Sequence, residues 1–275
     1  MNDAASMPVL FLSHGSPLHA MLDSDASRLW AQLGAQMPKP RAILAISAHW
    51  NTSIPMLTGA ALPPTIHDFG GFPEPLYRLR YPAHGAPALA EQLHGQLREA
   101  GIAAGIDGTR GFDHGAWVPL LHMYPQADVP VLQLSVQPSL HARHHFAVGQ
   151  ALAPLVSEGV LVLASGHTTH NLNDAFARPD LLGQSVTPLP YVKAFSDWVA
   201  SAIAEQRIDD LLDWAQRAPG AARAHPTPEH FLPLFVALGA AGEGAHSERV
   251  LAVSDGPALA MDSWRWQAKG LTSSV

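Results

Sequence analysis

Cysteine is absent from this 275-residue chain, and that zero removes disulfides, thiolate zinc fingers, iron–sulfur clusters and any cysteine nucleophile. Charge is scarce as well, with charged residues at 14% and a formal net charge of -7. A chain with no basic excess has no electrostatic footing on phosphate backbones, so no nucleic-acid partner is expected. Long hydrophobic runs are also missing. The stretch from Val160 to Ala164 stops at Ser165 and Gly166, far short of the roughly 20 apolar residues that cross a bilayer, so no membrane partner is expected. Met1 to Met7 carries Asp3 rather than a cationic segment, and Pro8 to Leu12 is too short for a signal-peptide core, which points to a cytoplasmic protein.

Two things are plentiful. Apolar residues reach 47%, enough to bury a substantial core. Histidine reaches 16, the same count as Lys and Arg together. Without thiols, any metal or acid–base chemistry rests on His, Asp and Glu.

Four short apolar runs end in small or polar residues: Val9 to Leu12, Ala42 to Ile46, Val129 to Val136 and Val160 to Ala164. Such runs suit strands covered on both faces. Helical spacing of apolar residues fills the intervals at 23–37, 87–100 and 140–156, and further helices are expected at 191–205, 209–216 and 229–240. A closing strand pair is expected at 249–253 and 259–267. The alternation predicts an α/β fold with a central, mostly parallel sheet and helices on both faces. No linker divides the chain, so residues 1–275 are read as one domain.

Ligand sites in open α/β sheets gather at the carboxyl ends of strands. His14 and His49 each follow such a strand and have small neighbours, Ser13 and Gly15, Ser47 and Ala48. Paired strand-end imidazoles are what metal ligation needs. His170 closes a third strand-end segment, and His167 within it is read as a solvated or hydrogen-bonded side chain. His230 is expected in the first turn of a helix with Thr227 as N-cap and Pro228 at the first position. Glu229 beside it is explained equally by the helix dipole. His114, in Gly111-Phe112-Asp113-His114-Gly115, reads either as a group orienting substrate or dioxygen, or as a helix-start histidine capped by Asp113.

Three segments, Phe11-Leu12-Ser13-His14-Gly15-Ser16-Pro17, Ser47-Ala48-His49-Trp50 and His67-Asp68-Phe69-Gly70-Gly71-Phe72-Pro73, resemble the 4,5-DOPA dioxygenase-like branch of the class III extradiol ring-cleavage dioxygenases. So do the segments around His114, His170-Asn171-Leu172 and Glu229-His230-Phe231. The resemblance implies a mononuclear non-haem Fe(II) site, sometimes found with zinc, held by His14, His49 and His230. Under it, His170 is the acid–base catalyst and in some relatives also approaches the ion, and Glu229 is a minor alternative to His230 as third ligand. The reading assigns His114 to the oxygen species, and His67, Trp50 and Phe72 to the substrate pocket. The partners it implies are a catechol and O2.

Two other classes fit three histidines on this scaffold: a zinc-dependent hydrolase, with a water as the fourth ligand, and a non-catalytic binding protein. Seven tryptophans and few charges leave room for a homodimer interface, and ordinary burial explains them equally well.

Overall fold

A computed structural model describes residues 6–267. Ten strands are present among them: β1 (Val9–Ser13), β2 (Ala42–Asn51), β3 (Met56–Thr58), β4 (Gly105–Asp107), β5 (Val131–Val136), β6 (Val160–Gly166), β7 (His246–Leu251), β8 (Ser254–Asp255), β9 (Leu259–Ala260) and β10 (Ser263–Gln267). Eight form one sheet in the order β4-β3-β5-β2-β6-β1-β10-β7, and β8 pairs with β9 in a separate hairpin. The centre, β5-β2-β6-β1, is parallel throughout. β10 and β7 close one side antiparallel, and β3 meets β5 antiparallel on the other.

Strand alternation explains the two cores. Val9, Phe11, Leu44, Ile46, Val160 and Val162 face helices Pro87–Glu99, His141–Leu152, Pro190–Ala204 and Leu232–Ala241. Their sequence neighbours Leu10, Leu12, Ile43, Leu161 and Leu163 face the other way, onto helices Asp25–Gln36 and His114–Met123. Because both faces are covered, the central strands read as continuous apolar runs rather than alternating ones.

The predicted α/β architecture stands, with several boundaries corrected. The strand expected to end at Ile46 continues through His49 to Asn51, so His49 is a strand residue. The helix expected over 140–156 breaks after Leu152, ahead of Pro154, whose ring cannot continue the ladder. The expected 209–216 helix is two short turns, Ile208–Leu212 and Trp214–Arg217. The closing pair is β7 with β10, while residues 259–260 belong to the small hairpin. The helix expected over 229–240 starts only at Leu232 and is buried all round rather than along one stripe. Helix His114–Met123, with Pro119 inside it, has eight of its ten residues buried. Burial on every side leaves no 3.6-residue rhythm to read.

Candidate active site

The parallel register delivers the site. β1 aligns Ser13 with Gly166 of β6, and β2 aligns Ser47 with Ser165, so three chain segments leave the sheet at one edge. Gly15 follows β1 with φ +65, a conformation that favours glycine, and a Cβ there would strike the His19 ring. The turn carrying His230 reaches the same edge over Gly166: the His167 N–H donates to His230 O at 2.7 Å. A Cβ on Gly166 would lie 2.2 Å from that oxygen, so only glycine admits the approach.

His14, His49 and His230 converge there. His14 Nε2 is 3.0 Å from His49 Nε2, and His49 Nε2 is 3.3 Å from His230 Nε2. The opposite ring atoms fix the tautomers. The Ser165 hydroxyl gives its one proton to Gly115 O at 2.5 Å, so it accepts from His14 Nδ1–H at 2.9 Å. His230 Nδ1–H donates to Glu229 Oε1 at 3.0 Å, and His49 Nδ1 faces Asp68 Oδ2 at 3.3 Å. A carboxylate only accepts, so each Nδ1 carries the proton and each Nε2 carries a lone pair.

Facing lone pairs 3.0 and 3.3 Å apart repel one another unless a cation lies between them. Ligand–metal distances of about 2.1 Å set neighbouring ligand atoms about 3.0–3.4 Å apart for angles of 90–110°. The three histidines therefore fit a divalent transition metal. Burial first, and the neighbouring imidazoles after it, hold the pKa of all three well below the usual histidine value, so they are neutral and able to ligate near pH 7. Carboxylate or hydroxyl partners behind metal-bound imidazoles are the usual support for such ligands.

Two further histidines flank this set. The His170 ring lies nearly parallel to that of His230, centroids 3.4 Å apart at 10°. Burial, then the charge of His167, keeps its pKa low. His114 packs beside His49 with centroids 3.9 Å apart. It does begin a helix, but Asp113 is not its side-chain cap. The Asp113 carboxylate is drawn away to Ser47 Oγ at 2.6 Å, Gln133 Nε2 at 2.8 Å and Arg110 at 3.2 Å. Asp68 Oδ1 takes over, accepting from the His114 N–H at 2.9 Å.

The remaining expectations divide. Glu229 lies in a turn before the helix, not in its first turn, and it supports the His230 ring from behind. Thr227 likewise is no N-cap; its hydroxyl bonds Glu229 at 2.9 Å, and Phe231 holds the cap position. His167 is fully buried, not solvated, with Nε2 accepting from Gly15 N–H at 2.9 Å. His67 joins an aromatic wall with Phe69, Tyr77 and Trp117, and Phe69 stands edge-on to His114 at 5.5 Å. Phe72 sits behind Phe69 at 5.4 Å. Trp50 follows His49 in the strand and so faces the other side, where the Arg110 guanidinium covers it at 5.1 Å. Reading the sequence missed Asp68 and Ser165 as partners of the site. Asp68 stood next to His67 in a quoted segment, but nothing in the sequence says which ring it meets.

An α/β sheet with a histidine-lined candidate metal site at its carboxyl edge fits a class of metal-dependent enzymes. Residues 8–259 match the family described as the catalytic LigB subunit of aromatic ring-opening dioxygenase. The chain is 42% identical over 260 residues to the "4,5-DOPA dioxygenase extradiol" of Beta vulgaris, covering 93% of this chain and 95% of that one. It is 42% identical over 238 residues to the protein of the same name from Escherichia coli (strain K12), covering 85% of each. A solved structure of an uncharacterized protein from Escherichia coli K12 superposes with a TM-score of 0.78 at 34% identity, covering 94% of this chain and 99% of that one. The chain belongs to the LigB family of class III extradiol ring-cleaving dioxygenases, and it is an enzyme of that kind. The family implies a small aromatic substrate and O2, which removes the ground for a zinc hydrolase or a binding protein. No helix among the described residues is long and apolar enough to cross a membrane.

Proposed function

We propose that the chain opens the ring of a catechol, DOPA or a similarly substituted one, at Fe(II) held by His14, His49 and His230, with residues 1–275 acting as one catalytic domain. The observation that carries this reading is the convergence of three Nε2 lone pairs, with His49 3.0 Å from His14 and 3.3 Å from His230, and with Ser165, Asp68 and Glu229 behind the three rings. Fe(II), when bound, supplies the redox link between a chelated catecholate and dioxygen and lowers the pKa of the phenol.

The protein's own groups do the rest. His170, neutral and stacked on His230, receives the second phenolic proton as the substrate seats. His114 directs a hydrogen bond at the reacting oxygens from the other flank. Phe69, with His67 and Phe72 around it, presents an apolar wall to the ring. His170 as a fourth ligand and Glu229 as a replacement for His230 both fit less well, since the first stacks on a ligand ring and the second is bonded to its Nδ1.

The test is anaerobic loading with Fe(II), then air and a catechol. Oxygen uptake with formation of a yellow semialdehyde supports the reading. No uptake with DOPA, catechol, protocatechuate or caffeate overturns it. Zinc-loaded protein is expected to bind catechol without consuming oxygen.

A further inference from the structure

Among the described residues, Asp68 is the one acid that reaches two of the site's imidazoles. Its Oδ2 lies 3.3 Å from His49 Nδ1, its Oδ1 lies 3.0 Å from His114 Nδ1, and that same Oδ1 accepts the His114 backbone N–H at 2.9 Å. Neither ring contact is a well-aligned hydrogen bond: His114 Nδ1 is buried without such a partner. The carboxylate thus sits between two rings whose centroids are 3.9 Å apart and answers both by charge. It also stands at the N-terminus of the helix Asp113 does not cap, where a negative charge is stabilised.

The other two ligand rings have private supports, Ser165 for His14 and Glu229 for His230. Among the three, only the His49 support also faces a second imidazole, that of His114. We propose that Asp68 is a positioning residue with two separable duties: through His49 it sets metal retention, and through His114 it sets turnover. The inference rests on the reading of His49 as a ligand and His114 as a group that touches the substrate or dioxygen. It places His114 Nδ1 toward Asp68.

The two duties come apart in a double-mutant cycle. Asp68→Asn keeps the shape and removes the charge. It is expected to weaken metal binding about 10- to 100-fold, the usual cost of losing a support behind a ligand histidine, read by chelator competition for Zn(II). On fully Fe(II)-loaded enzyme it is expected to lower kcat as well. In a His114→Ala background the kcat effect should vanish, and the affinity effect should remain. Asp68→Glu, which keeps the charge, should recover part of the affinity, and thermal melting of the metal-free variants separates this from a folding defect.

Unchanged Zn(II) affinity in Asp68→Asn overturns the proposal, as does an equal kcat loss with and without His114. The affinity arm needs no ring cleavage. If wild-type enzyme turns over no catechol, the functional reading fails while Asp68 is still decided by metal binding.

Discussion

Two pairs of buried histidines in this fold differ in chemistry, and burial does not tell them apart. His14 and His230 at the sheet edge are 2% and 5% exposed, while His19 and His145, elsewhere in the molecule, are 3% and 1%. The second group is chemically closed. His145 donates from Nδ1 to His141 O at 2.6 Å and accepts at Nε2 from Gln137 N–H at 3.0 Å. His19 bonds Ser24 Oγ at 2.8 Å through Nδ1 and Asp255 Oδ2 at 3.0 Å through Nε2. In the first group each Nδ1 is likewise answered, but every Nε2 faces another Nε2. What marks a candidate ligand is a lone pair that the protein leaves to another lone pair. A lowered pKa does not mark it, since burial lowers His145 and His14 alike.

The comparison breaks most severely at the ligands. His14→Ala or His49→Ala is expected to abolish metal retention and ring cleavage together, read by metal content after gel filtration and by oxygen uptake. A variant that keeps stoichiometric iron would remove that residue from the ligand set. One step down, His170→Ala should retain metal and lose about 10²- to 10⁴-fold in kcat, the range for a general base. Normal turnover would mean the stacked ring only packs against His230. Smaller again, Glu229→Gln still accepts from His230 Nδ1–H but without charge. It should weaken metal affinity toward the lower end of a 10- to 100-fold range and leave kcat of the loaded enzyme near wild type.

Much of this was legible in the sequence, for reasons particular residues make clear. Val9 to Leu12 and Val160 to Ala164 are apolar on every residue because both sheet faces are covered, and that pattern alone places His14 and the His170 loop at one edge. His230 was found from its segment, but for the wrong local reason: the turn over Gly166 delivers it, not a helix start. Contacts between rings and acceptors were not legible. Asp68 is 46 residues from His114, and Ser165 is 151 residues from His14. No local spacing encodes such pairings; they exist only once β1, β2 and β6 are in register.

The closed group offers the smallest effect and the sharpest sign. Burial lowers His145 from the free value of 6.5 to about 4. Between those two values the unfolded chain binds a proton that the folded chain refuses, so stability falls as pH drops from 6.5 toward 4 and is fully present above 6.5. The slope is about 1.4 kcal/mol per pH unit for one such histidine. His145→Leu should cost about 1–3 kcal/mol at pH 7, because Gln137 N–H and His141 O lose their partner. It should also remove this residue's share of the acid slope, narrowing the gap to wild type by about 2 kcal/mol at pH 5. Urea unfolding of metal-free protein at both pH values checks it, with metal affinity of the folded variant unchanged. If the gap does not narrow, His145 is protonated in the native state. If metal affinity falls with it, the two groups of histidines are not independent.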